Sequence, residues 1–204
     1  SANATRAAVL YSEDFDIDNS LNWTTNDPGV TDVLVDYHYD YSAIGVSAAP
    51  GGASTVGLKM TANNANAVFG GFSVSPTGES FTGSYRVSFN MWQNYVGPLL
   101  NGGSGTTQLS TFGVGTSGTS GFWAGSAKES VGFAVTLDGE SAVDYRAYSS
   151  AATTGYTGAS GVFSAGNLDA NRNGSDPYYA GFTSVSAPAA QAGLFPSQTG
   201  ATKA

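Results

Sequence analysis

The sequence predicts an all-β fold, an antiparallel β-sandwich. Three observations carry that expectation. Apolar and polar residues alternate with period two in many segments, the signature of half-buried strands. No stretch shows a helical stripe. Clusters of Gly, Asn, Ser and Pro separate the alternating runs at roughly 10–20-residue spacing, as sandwiches require.

In chain order, strands are expected near residues 8–12, 32–41, 55–62, 67–75, 85–92, 107–115, 131–137 and 143–149. In 32–41, Asp32, Leu34, Asp36, His38 and Asp40 would share one face, with Val33, Val35, Tyr37, Tyr39 and Tyr41 on the other. "SYRVSFNMWQN" is the clearest strand pattern: Tyr85, Val87, Phe89 and Met91 alternate with Arg86, Ser88, Asn90 and Trp92. "VGFAVTLD" sets Val131, Phe133, Val135 and Leu137 against small residues, a face that suits cover by a loop or a neighbouring subunit. "AAPGGAS", "SPTGESFTG", "GPLLNGGSGTT" and "TLDGESA" read as turns and loops. Beyond residue 150 the periodicity fades and no strand is expected; a long functional loop, a flexible tail and a segment that orders against a partner are the alternatives. The domain reading is therefore an N-terminal extension or processed stub (1–8), the sandwich (9–150) and a loop-rich extension of the same domain (151–204).

Composition limits the functional classes. Charged residues make up 11% of the 204 residues, against about 25% in ordinary soluble domains. Aromatics at 12% still supply a core. The net charge of −8 comes without a basic cluster, so neither nucleic acid nor an anionic membrane is an expected partner. The absence of cysteine excludes disulfides, thiol catalysis and thiolate metal sites. No apolar run approaches the roughly 18 residues of a membrane span. "ANA" near the start fits the small-x-small rule of a signal-peptidase site, so the start reads as a mature terminus or processed stub. An arbitrary start is the alternative.

Several segments taken together, "AVLYSEDFD", "NW", "YDYSAIGVSAAP", "GLKMTAN", "GGFSVSPTGESFTG", "FNMW" and "VDYRAYS", resemble a family of exported bacterial proteins. These carry a concanavalin A-like (LamG-like) jelly-roll domain and often a C-terminal PEP sorting tail. The resemblance implies a jelly roll and an extracellular or cell-surface location. Similar proteins continue past the region matching "FPSQTGATKA" with further strands. The resemblance thus implies that this jelly roll is incomplete, and that further residues or a neighbouring chain would close it.

Few residues invite chemistry. "VDYHYDYS" holds the only histidine, His38, between Asp36 and Asp40. Side chains on one strand face recur about every 7 Å, too wide for neighbours on one flat strand to share a metal easily, so a solvated outer face is expected, with a cation site and then catalysis as the alternatives. His38 would nonetheless let stability or assembly respond to pH. Glycoside hydrolysis needs two carboxylates facing each other across a sugar cleft. "SEDFDID", with Glu13, Asp14, Asp16 and Asp18, lacks the one-strand arrangement used by jelly-roll glucanases. No nucleophile elbow is present. "DANRNGSD" matches the first half of a calcium loop through Asp169, Asn171 and Asn173, with Ala180 where the closing Glu belongs. Calcium is the one cofactor suggested, with a plain Asn/Gly turn as the alternative. Sequons fall at Asn3, Asn22 and Asn173. Trp92, Trp123, Tyr178 and Tyr179 are candidates for stacking on sugar rings.

The leading functional expectation is a non-catalytic extracellular structural protein that associates with itself in a matrix or fibre. The alternative is a carbohydrate-binding, lectin-like module for extracellular polysaccharide. A glycoside hydrolase is the third class, and the sequence speaks against it.

Overall fold

The computed structural model describes residues 8–29, 33–62 and 71–93, together with four strands further along the chain. The regular elements are β1 (Trp23–Asn26), β2 (Leu34–Asp40), β3 (Val56–Thr61), β4 (Ser73–Pro76), β5 (Leu109–Val114), β6 (Val131–Thr136), β7 (Tyr145–Tyr148) and β8 (Val162–Ser164). Two single 3-10 turns, Ser20–Asn22 and Tyr41–Ile44, complete the set. The described fold is all-β, and every ladder in it is antiparallel.

The strands form three sheets. β1 pairs with β4, β2 with β3, and β5 to β8 form a four-stranded meander. The first two pairs are nested, so the outer pair joins strands on either side of the inner one. In β1–β4, Asn26 is buried and faces Ser73. Its side-chain amide donates to the Ser73 and Ser75 hydroxyls at 3.3 and 3.1 Å. Buried amides are costly unless bonded in this way. Pro76, lacking an N–H, sits at the strand end, where no ladder donor is needed. The next residue continues the pairing, with the Thr77 N–H donating to the Asn22 carbonyl at 2.8 Å.

β2 shows the expected alternation. Leu34, Asp36, His38 and Asp40 are exposed, Val35 and Tyr39 half-buried and Tyr37 buried. A bulge breaks its register between Asp36, which faces Lys59, and Tyr39, which faces Gly57. The His38 N–H donates to Asp36 Oδ1 at 2.9 Å and is thereby taken from the ladder, as an extra residue in a bulge must be. Gly57 lies under the Tyr41 ring. A Cβ there would stand 3.4 Å from Tyr41 Cε2, and the Tyr41 hydroxyl donates to the Leu58 carbonyl at 2.7 Å.

Asp40 organises the β2–β3 connection. Its Oδ1 accepts from the Ser42 N–H at 2.9 Å and the Thr55 hydroxyl at 2.7 Å. Gly45 ends the turn in the left-handed region (φ 78°), the common role of glycine at a C-terminal cap. In "APGG", the Gly52 N–H donates to the Ala49 carbonyl at 2.8 Å, with Gly51 at φ 80°. Pro then Gly at the centre is the pattern of a type II turn.

Three expectations need correction. Residues 8–12 form no strand. Just beyond them, the acids of "SEDFDID" capture backbone donors that a continuing ladder would use. Glu13 Oε1 accepts from the Asp14 and Phe15 N–H groups, and Asp14 Oδ1 from that of Asp16. Residues 85–92, the clearest strand pattern, also form no ladder, because alternation defines a face and does not provide a partner. Finally, the region beyond 150 contains a strand after all, as β8 pairs with β7 from Tyr148↔Val162 to Arg146↔Ser164. Of the expected strand at 67–75, Ser73–Pro76 is present and residues 71–72 are not part of it, while residues 63–70 lie outside the described residues.

Candidate functional site

Aromatic side chains tie the described segments together. Trp23 of β1 packs on Phe15 (5.2 Å between centroids), Tyr11 (6.2 Å) and Tyr37 (6.2 Å). Tyr11 also meets Phe81 edge-on at 6.2 Å, and Phe81 meets Tyr85 at 6.1 Å. A second row runs from Tyr39 to Tyr41 (4.9 Å) to Trp92 (6.0 Å). Lys59 Nζ lies 3.8 Å from the Tyr39 ring centre, a cation–π arrangement. Trp92 is thus half-buried against Tyr41.

His38 and its acidic neighbours serve local structure. His38 Nδ1 lies 3.0 Å from the Phe15 carbonyl. A carbonyl only accepts, so that nitrogen carries the proton in this contact. Phe15 is the one non-glycine residue with positive φ (61°) among the described residues, a conformation that persists only when its surroundings impose it. Here Glu13 holds its N–H, His38 its carbonyl, and Trp23 and Tyr37 flank its ring. The Thr55 hydroxyl and then Ser42 hold the Asp40 carboxyl below its usual range. The Ser20 N–H and hydroxyl do the same for Asp18. Burial pushes the Tyr41 phenol up to about 12, helped by Tyr39 and Asp36. Among the described residues no group of three or more His, Cys, Asp or Glu could hold a metal.

The most distinctive surface is the run from Tyr85 to Met91. Tyr85, Val87, Phe89 and Met91 are 39%, 47%, 57% and 51% exposed. Arg86, Ser88 and Asn90 between them are exposed too, and no described strand pairs with this backbone. The run is held at intervals: Phe89 lies 4.9 Å from Phe112 of β5, and Asn90 Nδ2 donates to the Pro50 carbonyl at 3.4 Å. Large apolar side chains in a row at a surface are the usual mark of an interaction site.

Of the other residues singled out from sequence, Asn22 is exposed in the first 3-10 turn. Thr24 of its sequon shares a 2.7 Å hydrogen bond with the Thr77 hydroxyl. Asn3, Trp123, Asp169, Asn171, Asn173, Tyr178 and Tyr179 lie outside the described residues. Among the described residues no helix is long and apolar enough to cross a membrane. Compared with known proteins, the chain matches no family model, no curated protein and no solved structure.

Proposed function

We propose that this chain is a non-catalytic structural protein of the bacterial cell exterior, a subunit that associates with copies of itself in a matrix or fibre. One observation carries the reading: the Tyr85–Met91 run has the alternation of a strand, an exposed apolar face and no ladder among the described strands. Such a segment offers to an incoming strand both a hydrophobic row and a backbone that no described strand pairs. The low charge content supports close approach of like copies, since few carboxylates or ammonium groups must be desolvated. The finer fold reading, a concanavalin A-like jelly roll in which a neighbouring chain completes the sandwich, belongs to the same proposal. Its support is the all-antiparallel pairing, the nested β1–β4 and β2–β3 ladders and the sequence resemblance.

Size-exclusion chromatography with light scattering, run over a wide concentration range and followed by negative-stain electron microscopy, tests the proposal. Concentration-dependent growth into oligomers or filaments is expected. A monomer at every concentration refutes it.

A further inference from the structure

The apolar run specifies a partner through its order of residues as well as its exposure. It reads Tyr85, Arg86, Val87, Ser88, Phe89, Asn90, Met91. From either end the order is the same: a large residue, a polar one, an apolar one, then the central Ser88. Arg86 is the only charged side chain from Phe81 to Gln93, and no described strand pairs with that stretch. A surface that meets its own copy about a two-fold axis must be complementary to itself, because residue i then contacts j while j contacts i. A mirror-symmetric order of side chains satisfies that condition.

The direction and register follow from what each pairing sets opposite. Side chains directly opposite in a ladder share a face and touch. Two copies running parallel in register would set Arg86 against Arg86, and like charges directly opposite are destabilising. An antiparallel pair centred between two residues would set every apolar side chain against a polar one, since a one-residue slip flips the faces. Centred on Val87, it would leave Met91 opposite Gly83. Centred on Phe89, it would set Tyr85 against Gln93, which is already buried in its own chain. Centred on Ser88, Val87 meets Phe89, Tyr85 meets Met91 in a sulfur–aromatic contact, and Arg86 meets Asn90. The Asn90 Nδ2 is anchored on the Pro50 carbonyl at 3.4 Å. Its carbonyl oxygen is not used in that bond and suits a guanidinium, which only donates.

We infer that the partner of this run is the same run of a second copy, paired antiparallel about a two-fold axis through Ser88. The inference rests on the self-association proposed above and adds the segment, direction and register. The facing residues also supply roughly six to eight ladder hydrogen bonds. Such a contact closes after two copies, so a fibre would be built of these dimers joined through a different surface.

The chain has no cysteine, so one introduced thiol reports on one position. Residues directly opposite have Cα atoms about 4.5–5.5 Å apart, within the roughly 4.4–6.8 Å that a disulfide spans. Ser88 lies opposite itself, whereas Arg86 lies four residues along from its symmetry mate, roughly 14 Å away. The full chain carrying Ser88→Cys, Arg86→Cys, Val87→Cys or Asn90→Cys is oxidised mildly at a concentration where the parent associates by sedimentation velocity, and covalent dimer is followed on non-reducing gels. All four positions are exposed, and an unchanged melting temperature confirms that each variant folds. Ser88→Cys is expected to link at least about tenfold faster than the other three alone, whose thiols fall outside disulfide reach. Arg86→Cys mixed with Asn90→Cys should link to each other as fast as Ser88→Cys does to itself.

A parent chain that sediments as a monomer overturns both this pairing and self-association. If the parent associates, three results overturn the pairing alone. Equal linking through Arg86→Cys and Ser88→Cys means a parallel contact. Fastest linking through Val87→Cys means a shifted register. No linking in any variant or mixture means that another surface makes the contact.

Discussion

Placing a carboxylate on the apolar row should abolish the proposed self-association without unfolding the chain. Val87 is the best position, because it is about half exposed, whereas Phe89 packs on Phe112 of β5. Fully burying a Val, Phe or Met side chain contributes about 1.5–3 kcal/mol. Val87, Phe89 and Met91 each have about half of their surface left to bury. One copy therefore has roughly 2–5 kcal/mol to gain from covering all three, and a symmetric contact has twice that. Association costs an estimated 4–15 kcal/mol in lost freedom. The apolar row alone thus gives at most a weak contact, and ladder hydrogen bonds at about 0.5–1.5 kcal/mol each must supply the surplus. A contact with so small a margin is sensitive to one buried charge. Val87→Asp is expected to raise the dissociation constant at least 100-fold, about 2.7 kcal/mol, measured by sedimentation velocity at matched concentrations. Met91→Asp should behave alike. Ser88→Asp, which adds the same charge between the apolar positions, is the control and should weaken assembly far less. If Ser88→Asp is as damaging as Val87→Asp, general charge repulsion rather than the apolar row governs association. If neither variant changes the sedimentation profile, the row is not the interface.

Three further outcomes follow from the β2–β3 connection. Tyr41→Phe removes the hydroxyl that donates to Leu58 and should cost about 0.5–1.5 kcal/mol at neutral pH by urea unfolding. Because the folded phenol is raised to about 12 from 10.0, the unfolded chain loses its proton first. The wild type's advantage over Tyr41→Phe should therefore shrink as pH rises from 10 towards 12. Asp40 has a depressed folded pKa, so its contribution is present above the ordinary carboxyl range near 3.9 and disappears as pH falls through the lower folded value. Asp40→Ala should be less stable than wild type near neutrality and should converge with it in acid, as followed by circular dichroism. Gly45→Ala forces a Cβ into the left-handed region and should cost about 1–2 kcal/mol in the same urea assay.

The parts of this fold that sequence discloses are those whose cause is local. The Leu34–Asp40 alternation is visible because each residue's face follows from its position in the strand, and the burial of Tyr37 between exposed Asp36 and His38 obeys it. The approximate places of β3, β5, β6 and β7 follow from the same rule. β1 was not legible, since "WTTN" shows no clean alternation and its pairing residues lie far away, Asn26 being 47 positions from Ser73. The 85–92 run was legible as a pattern and wrong as a paired strand, because pairing depends on what lies beside it. The acids of "SEDFDID" were visible as residues but not as caps.

The nesting of one ladder inside another has a kinetic consequence. Closing β1 onto β4 directly would fix the ends of a loop of more than forty residues, and loop entropy must be overcome before any bond forms (Asn26 and Ser73 are 47 apart). Once β2 and β3 have paired, the same closure spans only the two short links at 27–33 and 62–72. The inner hairpin should therefore form first, with the outer ladder zipping onto it. Substitutions in the inner ladder, such as at Gly57 or Tyr41, should slow folding. Substitutions in the outer one, such as at Asn26 or Ser75, should mainly hasten unfolding.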